Sequence, residues 1–188
     1  MTKLTDTLKY LGKEMQTARF LERTGLGNDL AFYIVDYNPA DELTVREFVR
    51  YTVAHAACRI RDINVFQAIM TLFTQEVTRE DLWALEDVEG SQGLWDAVLP
   101  LLEGDRLEQV IADQAQDAQV VFLTGIGTAY PLVRSHMLLN RLHPYFARRP
   151  VILFFPGRYT GTEMSLFGLF TDDHYYRALR IEPLVGEE

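Results

Sequence analysis

The 188-residue sequence is poor in cysteine, and its single thiol, Cys58, lies inside an apolar helical pattern. One cysteine excludes a disulfide framework within the chain, and it also excludes a zinc site built from several thiolates. A protein that does not depend on disulfides suits a reducing compartment. We therefore expect a cytoplasmic protein.

Long hydrophobic runs are also missing from the sequence. No stretch approaches the roughly 18 uninterrupted apolar residues that a membrane span needs. Residues 1–13 are polar and charged, without the continuous apolar core of a signal peptide. We expect a soluble protein that is not exported and that forms one domain over residues 1–188, since 48% of its residues are hydrophobic.

Basic residues are in deficit, with 18 Lys and Arg against 27 Asp and Glu, so the formal net charge is −9. Such a charge opposes general capture of nucleic acid or anionic lipid, and we expect no stable binding to DNA by the protein alone and no membrane partner. Residues 76–117 hold 12 acidic and 2 basic residues. We interpret this segment as an acidic helical insertion within the domain, with solvated helix faces or, alternatively, an acidic docking surface.

Apolar strand patterns alternate with amphipathic helical patterns along the chain. Strands are predicted at Leu30–Val35, Gln119–Leu123 and Val151–Phe155, with a further strand at Glu163–Phe170. Helices are predicted at Pro39–Cys58, Val65–Glu76 and Pro131–Ala147, with a short one at Asp172–Leu179. Apolar strands joined by helices predict a three-layer αβα sandwich with a mostly parallel central sheet of about four to five strands.

The loop after the first predicted strand lacks the residues of a phosphate-binding loop. Asp36–Asp41 contains no glycine and no lysine, carries two aspartates, and loses one backbone N–H at Pro39. This composition would repel a triphosphate and excludes a P-loop NTPase. Asp36 and Asp41 could instead hold a divalent cation, but two acids without a third ligand are more often a strand-end acid and a helix cap, which is the preferred interpretation. We predict no metal site.

The loop after the central strand, Gly125–Tyr130, meets only part of a dinucleotide-binding pattern. Gly125 and Gly127 match its first two glycines, whereas Tyr130 occupies the third position and no acid follows at a suitable strand end. We therefore predict no redox cofactor. A glycine-lined turn could still receive a carboxylate or phosphate oxygen, or it could be a tight turn without a ligand.

The helix after this turn carries Arg134 and His136, and His136 shares one helix face with Asn140 and His143. That face offers no further acid or histidine to complete a metal site, so packed, hydrogen-bonding histidines are the preferred interpretation. Ser135 lies inside the helix and lacks the exposed elbow of a nucleophile. We predict no catalytic residue, no cofactor and no enzymatic activity.

The segment after the third strand has the composition of a binding loop. Pro156, Gly157, Arg158 and Tyr159 are followed within twenty residues by a short run of tyrosines and arginine: Tyr175, Tyr176 and Arg177. Tyrosine and arginine often dominate protein interfaces, which makes these residues candidate contacts to a partner. The alternative is that the tyrosines belong to the core.

Distinctive sequence blocks span most of the chain except residues 76–117, and they are Gly25–Asn28, Phe32–Tyr37, Pro39–Leu43, Val121–Gly127, Tyr130–His136, Leu153–Gly157 and Tyr175–Ala178. Together these blocks resemble the BrxB family, a small component of bacterial BREX phage-defence systems. The resemblance implies a cytoplasmic bacterial protein encoded beside a methyltransferase, a large ATPase and PglZ, an alkaline-phosphatase-superfamily member. It supplies no catalytic residues.

From the resemblance we expect a non-enzymatic scaffold of the defence system, with PglZ as the main partner and other BREX components as further candidates. Candidate partner or anion contacts are Gly125, Gly127, Arg134, His136, Pro156, Gly157, Arg158, Tyr159, Tyr175, Tyr176 and Arg177. The alternative is a nucleotide- or nucleic-acid-responsive phosphate-binding module, or a cryptic metal-dependent hydrolase. The sequence leaves the oligomeric state open.

Overall fold

A computed structural model describes residues 3–21, 31–146, 149–172 and 178–183. The helices, in chain order, are α1 (Lys3–Glu14), α2 (Ala18–Leu21), α3 (Glu42–His55), α4 (Val65–Glu76), α5 (Arg79–Val98), α6 (Arg106–Gln114), α7 (Ile126–Ala129) and α8 (Ser135–Leu142). Short 3-10 helices cover Pro39–Asp41 and Leu99–Leu102. The strands are β1 (Phe32–Tyr37), β2 (Ile60–Asn64), β3 (Val120–Thr124), β4 (Val151–Tyr159), β5 (Met164–Leu166), β6 (Phe170–Asp172) and β7 (Leu179–Arg180).

Five strands form a parallel sheet in the order β2-β3-β4-β1-β7. Strand β4 continues past this sheet and pairs antiparallel with β5, which in turn pairs with β6. The chain is therefore an α/β domain with a mostly parallel central sheet and helices on both sides, as the alternation of strands and helices predicts.

Side-chain alternation along the strands separates two cores, one on each face of the sheet. On β1, Phe32 and Ile34 pack into the core formed with helices α4 to α8, whereas Tyr33 and Val35 pack into the core formed with α1, α2 and α3. Because both faces are covered, the strands read as continuous apolar runs in the sequence rather than as alternating ones.

Two asparagines begin helices at the ends of strands. The Asn38 side chain accepts a hydrogen bond from the Ala40 N–H at 3.0 Å, and the Asn64 side chain accepts one from the Gln67 N–H at 3.1 Å. Each side chain satisfies a donor that the first helical turn leaves unpaired. These caps turn the chain sharply at the carboxyl end of β1 and of β2.

Three predicted elements differ in the structure. The predicted strand Glu163–Phe170 is wrong, because the chain reverses between β5 and β6 at Gly168, where φ is +72°. The predicted helix Pro131–Ala147 is confined to Ser135–Leu142, since the preceding residues form a turn. Most of the predicted helix Asp172–Leu179 lies outside the described residues, and its last residue begins β7.

The acidic segment forms helices α5 and α6. From the sequence, glycines at 90 and 93 predict breaks in this segment, and Trp83 is expected on its buried side. Gly90 does interrupt α5, with φ +71°, whereas Gly93 remains helical. The expectation for Trp83 is wrong, because Leu82 takes the inward position and Trp83 is 63% exposed. One residue along a helix rotates the side chain by about 100°, which carries Trp83 away from the core. Among the described helices, none is long and apolar enough to span a membrane.

Candidate functional site

The predicted loops meet at the carboxyl edge of the parallel sheet. Strands β1, β2 and β3 end there at Tyr37, Asn64 and Thr124, and β4 passes the same edge at Pro156. In open α/β sheets this edge is the usual position of ligand sites. A functional arrangement is therefore expected at this edge.

Asp36, at the end of β1, is held in an ion pair. The Arg180 Nε donates to Asp36 Oδ1 at 2.6 Å and the Arg180 Nη2 donates to Asp36 Oδ2 at 2.9 Å. The Tyr159 N–H also donates to Asp36 Oδ2, at 3.2 Å. These three bonds explain Asp36 as a structural acid, one of the two interpretations that the sequence left open.

The glycine turn is filled by neighbouring side chains. A Cβ at Gly125 would lie 2.4 Å from Asn64 Oδ1, and one at Gly127 would lie 2.7 Å from Cζ of Phe167. Gly125 also has φ +73°, a conformation that glycine adopts without strain. Close packing therefore accounts for both glycines, and α7 is only four residues long. This geometry favours the tight turn without a ligand.

The interpretation of Pro156–Tyr159 as part of a binding loop is wrong. Pro156, Gly157, Arg158 and Tyr159 continue strand β4, because that stretch pairs with β5. Gly157 is required there, since a Cβ would lie 2.2 Å from the carbonyl oxygen of Ser165. Arg158 remains exposed at this edge.

Tyr159 is not a surface residue, so its prediction as an exposed partner contact is wrong. Its side chain is fully buried, and its single hydroxyl hydrogen is shared between the carbonyl oxygens of Ala178 at 3.0 Å and Gly161 at 3.1 Å. Burial raises the pKa of the Tyr159 phenol above its usual value. The residue thus belongs to the core, the alternative that the sequence left open for tyrosines.

The structure does not assemble Gly125, Arg134 and Arg158 around one phosphate. Arg134 precedes α8 on the opposite face of the sheet from the cavity that Gly125 lines, and it lines a separate pocket beside α6. His136 is half-buried on α8. The remaining predicted contacts, Tyr175, Tyr176 and Arg177, lie outside the described residues.

A cleft of about 440 Å³ lies between α3 and the carboxyl edge of the sheet. One wall is a hydrogen-bonded chain in which the Tyr37 hydroxyl donates to Glu42 Oε2 at 2.5 Å and the Arg46 Nε donates to Glu42 Oε1 at 2.7 Å. Burial, and then the bond to Glu42, raise the pKa of Tyr37 far above its usual value. The Tyr37 hydroxyl is therefore a hydrogen-bond donor to Glu42 and forms part of the wall of the cleft.

The opposite wall of the cleft contains Asp62. Asp62 accepts a hydrogen bond from the Thr124 hydroxyl at 2.8 Å, and burial raises the pKa of its carboxyl. Among the lining residues that the structure describes, none is a histidine, cysteine, serine or lysine. Among the residues that the structure describes, no three His, Cys, Asp or Glu side chains are placed to hold a metal ion.

The hairpin formed by β5 and β6 presents an apolar surface that the sequence analysis missed. We call Phe167, Leu169 and Phe170 the hairpin patch. All three are exposed, Leu169 at 76%, and the Phe170 ring stacks on Tyr130 with 4.7 Å between ring centroids. Phe167 has φ +56°, which is rare for an aromatic residue and marks a constrained turn. The signal in the sequence was the run Phe167-Gly168-Leu169-Phe170, in which a glycine separates large apolar residues.

Comparison with known proteins gives consistent matches. The family described as BREX protein BrxB matches residues 61–181. Two curated proteins named BREX protein BrxB, from Bacillus cereus (strain H3081.97) and Escherichia coli O9:H4 (strain HS), are each 33% identical to this chain over 189 residues. The alignments cover 96% of this chain and 98% of the Bacillus protein, and 95% of this chain and 92% of the Escherichia protein. No solved structure matched the chain at a significant level.

Proposed function

The chain belongs to the BrxB family of BREX phage-defence systems, and from this premise we propose that it is a non-enzymatic adaptor that binds the PglZ component. Other components of the same system are further partners in this proposal, and the cytoplasm is its place of action. Membership of the family does not by itself define how the protein acts within the defence system.

The hairpin patch is the observation that carries the proposal. Three large apolar side chains, Phe167, Leu169 and Phe170, stand together on a hairpin whose turn is held by hydrogen bonds from the Phe167 N–H to the Pro156 carbonyl and from the Leu169 N–H to the Leu166 carbonyl. Exposed apolar side chains clustered on a constrained scaffold are typical of protein interfaces, because little ordering entropy is lost on binding. Arg158, on the adjoining strand, supplies a charged neighbour.

The chemistry of the sheet edge supports binding rather than catalysis. Asp36 is engaged by Arg180 and by the Tyr159 N–H, and Tyr37 is held protonated by burial and by Glu42. The glycine turn is filled by Asn64 and Phe167. Asp36, Tyr37 and the glycine turn therefore each have a structural role, which supports an adaptor.

The acidic surface of helix α5 is a second candidate surface for docking, through electrostatic attraction. Helix α5 carries Glu80, Asp81, Glu86, Asp87, Glu89 and Asp96, and on the same helix Trp83 and Val88 are exposed. An acidic surface with apolar anchors suits a basic partner surface, and it would act chiefly on the rate of association.

The test is co-purification of tagged PglZ with variants of this chain. Leu169→Asp should abolish retention, because a carboxylate would be buried against an apolar partner surface. Leu43→Asp is the matched control, since Leu43 is 78% exposed on α3 and lies outside the hairpin patch. The reversal Glu86→Lys, Asp87→Lys and Glu89→Lys should slow association, and added salt should mimic it.

Two outcomes contradict the proposal. If wild-type protein and PglZ do not form a complex when co-expressed, the assigned partner is wrong. If Leu169→Asp and the triple reversal remain folded by circular dichroism and bind like wild type, neither surface is the interface.

A further inference from the structure

A pocket of about 280 Å³ lies on the opposite face of the sheet from the cleft beside α3. It is enclosed by α6, α8 and the residues just before α8. Its walls are largely apolar, with Leu102 and Leu107 on one side and Val133 and Met137 on the other. The volume is slightly below the roughly 300–1,000 Å³ of pockets for drug-sized ligands, which limits an occupant to a small metabolite.

Glu108 is an acid buried in this pocket without a full set of hydrogen bonds. Its side chain is only 2% exposed, on a part of α6 where Leu107 and Ile111 are also buried. Within the described parts of the chain, Glu108 Oε2 has no hydrogen-bond partner. Its other oxygen lies 4.0 Å from Arg141 Nη1, which is an ion pair but too long for a hydrogen bond.

An unsatisfied buried carboxylate oxygen is costly, so its retention calls for a donor. The backbone N–H of Glu108 lies near its carboxylate, and the nearby cation Arg141 already donates from Nη1 to the Gly104 carbonyl at 3.1 Å, so neither supplies a donor to Oε2. A ligand with an ammonium group would supply the donor, since each ammonium carries three N–H bonds.

The remaining charges of the pocket suit an anionic group on the same ligand. The lining contains two carboxylates, Glu103 and Glu108, and two guanidinium groups, Arg134 and Arg141, so it is formally neutral. The acid Glu108 is deep, whereas Arg134 and Arg141 are exposed at the mouth. Guanidinium groups bind carboxylates with two parallel hydrogen bonds. A neutral lining with its charges separated in this way matches a zwitterion better than a nucleotide.

From this geometry we propose that the pocket between α6 and α8 binds a free amino acid with an apolar side chain. Glu108 accepts hydrogen bonds from the ammonium group, Arg141 holds the carboxylate, and the leucine, valine and methionine walls contact the side chain. The site lies apart from the hairpin patch and does not depend on the adaptor role proposed above.

The test is thermal-shift and calorimetric titration of the purified full chain with L-leucine, L-methionine and L-phenylalanine. At least one should raise the melting temperature in a saturable manner. Two analogues of leucine separate the contacts: 4-methylpentanoic acid lacks the amine and 3-methylbutylamine lacks the carboxylate. Neither analogue should raise the melting temperature at the same concentration.

Glu108→Gln and Arg141→Gln should each weaken binding by about tenfold or more, which corresponds to the loss of one charge-assisted hydrogen bond. Arg79→Gln, on α5 and outside the pocket, is the matched control and should bind like wild type. Arg141 is 43% exposed, so its variant keeps the test valid if Glu108→Gln folds poorly.

Three results would overturn the proposal. The first is the absence of any shift with all three amino acids at 10 mM or so, far above a functional dissociation constant. The second is equal binding by wild type and both pocket variants. The third is binding of 3-methylbutylamine as tightly as leucine, which would show a simple cation site. None of these measurements involves PglZ, so failure here leaves the adaptor proposal untouched.

Discussion

Arg180 binds both carboxylate oxygens of Asp36 across a separation of 144 residues. This pair joins β7, the last strand of the parallel sheet, to the carboxyl end of β1. Asp36 is well buried, with a side chain 8% exposed, while the Arg180 side chain is 30% exposed and also donates to Glu182. The most conspicuous acid at the sheet edge is thus part of the architecture.

Removing one partner of this pair should destabilise the fold. Asp36→Asn leaves the Arg180 guanidinium partly buried without its main acceptor, and Arg180→Met leaves Asp36 charged and buried. We expect each to lower the free energy of unfolding by about 2–4 kcal/mol, the Arg180 variant more than the Asp36 variant. Urea denaturation measures the loss.

A double-mutant cycle supplies the control for this pair. Asp36→Asn combined with Arg180→Met should cost less than the sum of the two single variants, because the double variant removes both charges and leaves neither one unpaired. Strict additivity would show that the ion pair contributes no coupling energy.

The purified protein should hydrolyse neither ATP nor GTP in the presence of Mg²⁺. The segment Asp36–Asp41 offers no lysine to a phosphate, and Asp36 is already paired with Arg180. Phosphate release in a coupled assay measures this. Turnover that disappears in a folded Asp36→Ala or Asp41→Ala variant would contradict the prediction and require a metal-dependent mechanism.

Substitutions at Tyr159 should act on stability rather than on partner binding. Tyr159→Ala removes a fully buried ring and should cost about 3–5 kcal/mol, whereas Tyr159→Phe removes only the hydroxyl bonds to Ala178 and Gly161 and should cost about 1 kcal/mol. Chemical denaturation distinguishes the two. A folded Tyr159→Ala variant with unchanged stability that loses PglZ would instead restore Tyr159 as a contact.

Glu108 should make stability depend on pH. Burial raises the pKa of its carboxyl above the usual value, so the folded state binds this proton more tightly than the unfolded state. Protonated Glu108 therefore contributes to the free energy of unfolding. This contribution is complete below the unfolded-state pKa of about 4.3, and it is lost as the pH rises through the folded-state pKa.

Glu108→Met should therefore be more stable than wild type at neutral pH, and the difference should shrink on acidification toward pH 5. Urea denaturation at several pH values measures it. Glu103→Met is the matched control, since Glu103 is exposed at the mouth of the same pocket and should show little pH-dependent difference. A stability gain that is constant with pH would show that Glu108 does not titrate with the fold.

Local patterns in the sequence determined the fold class and most element positions. The apolar runs of β1, β3 and β4 predict buried parallel strands because both faces of the sheet are covered, and Asn38 and Thr78 predict helix starts because each side chain accepts a bond from a nearby N–H. The absence of a phosphate loop at Asp36–Asp41 could likewise be judged from composition alone. The family could also be recognised from the sequence, since short sequence blocks carry the resemblance.

Only the tertiary structure decided what the candidate residues do. Asp36 is paired with Arg180 because β1 and β7 lie side by side in the sheet. In the same way, tertiary packing places Phe167 against Gly127 and Arg141 near Glu108. Periodicity also cannot separate a continued strand from a loop, so Tyr159 proved to be core once β4 was seen to pair with β5. The physical reason is that local propensity acts over a few residues, whereas burial, charge pairing and exposed surface are properties of the packed chain.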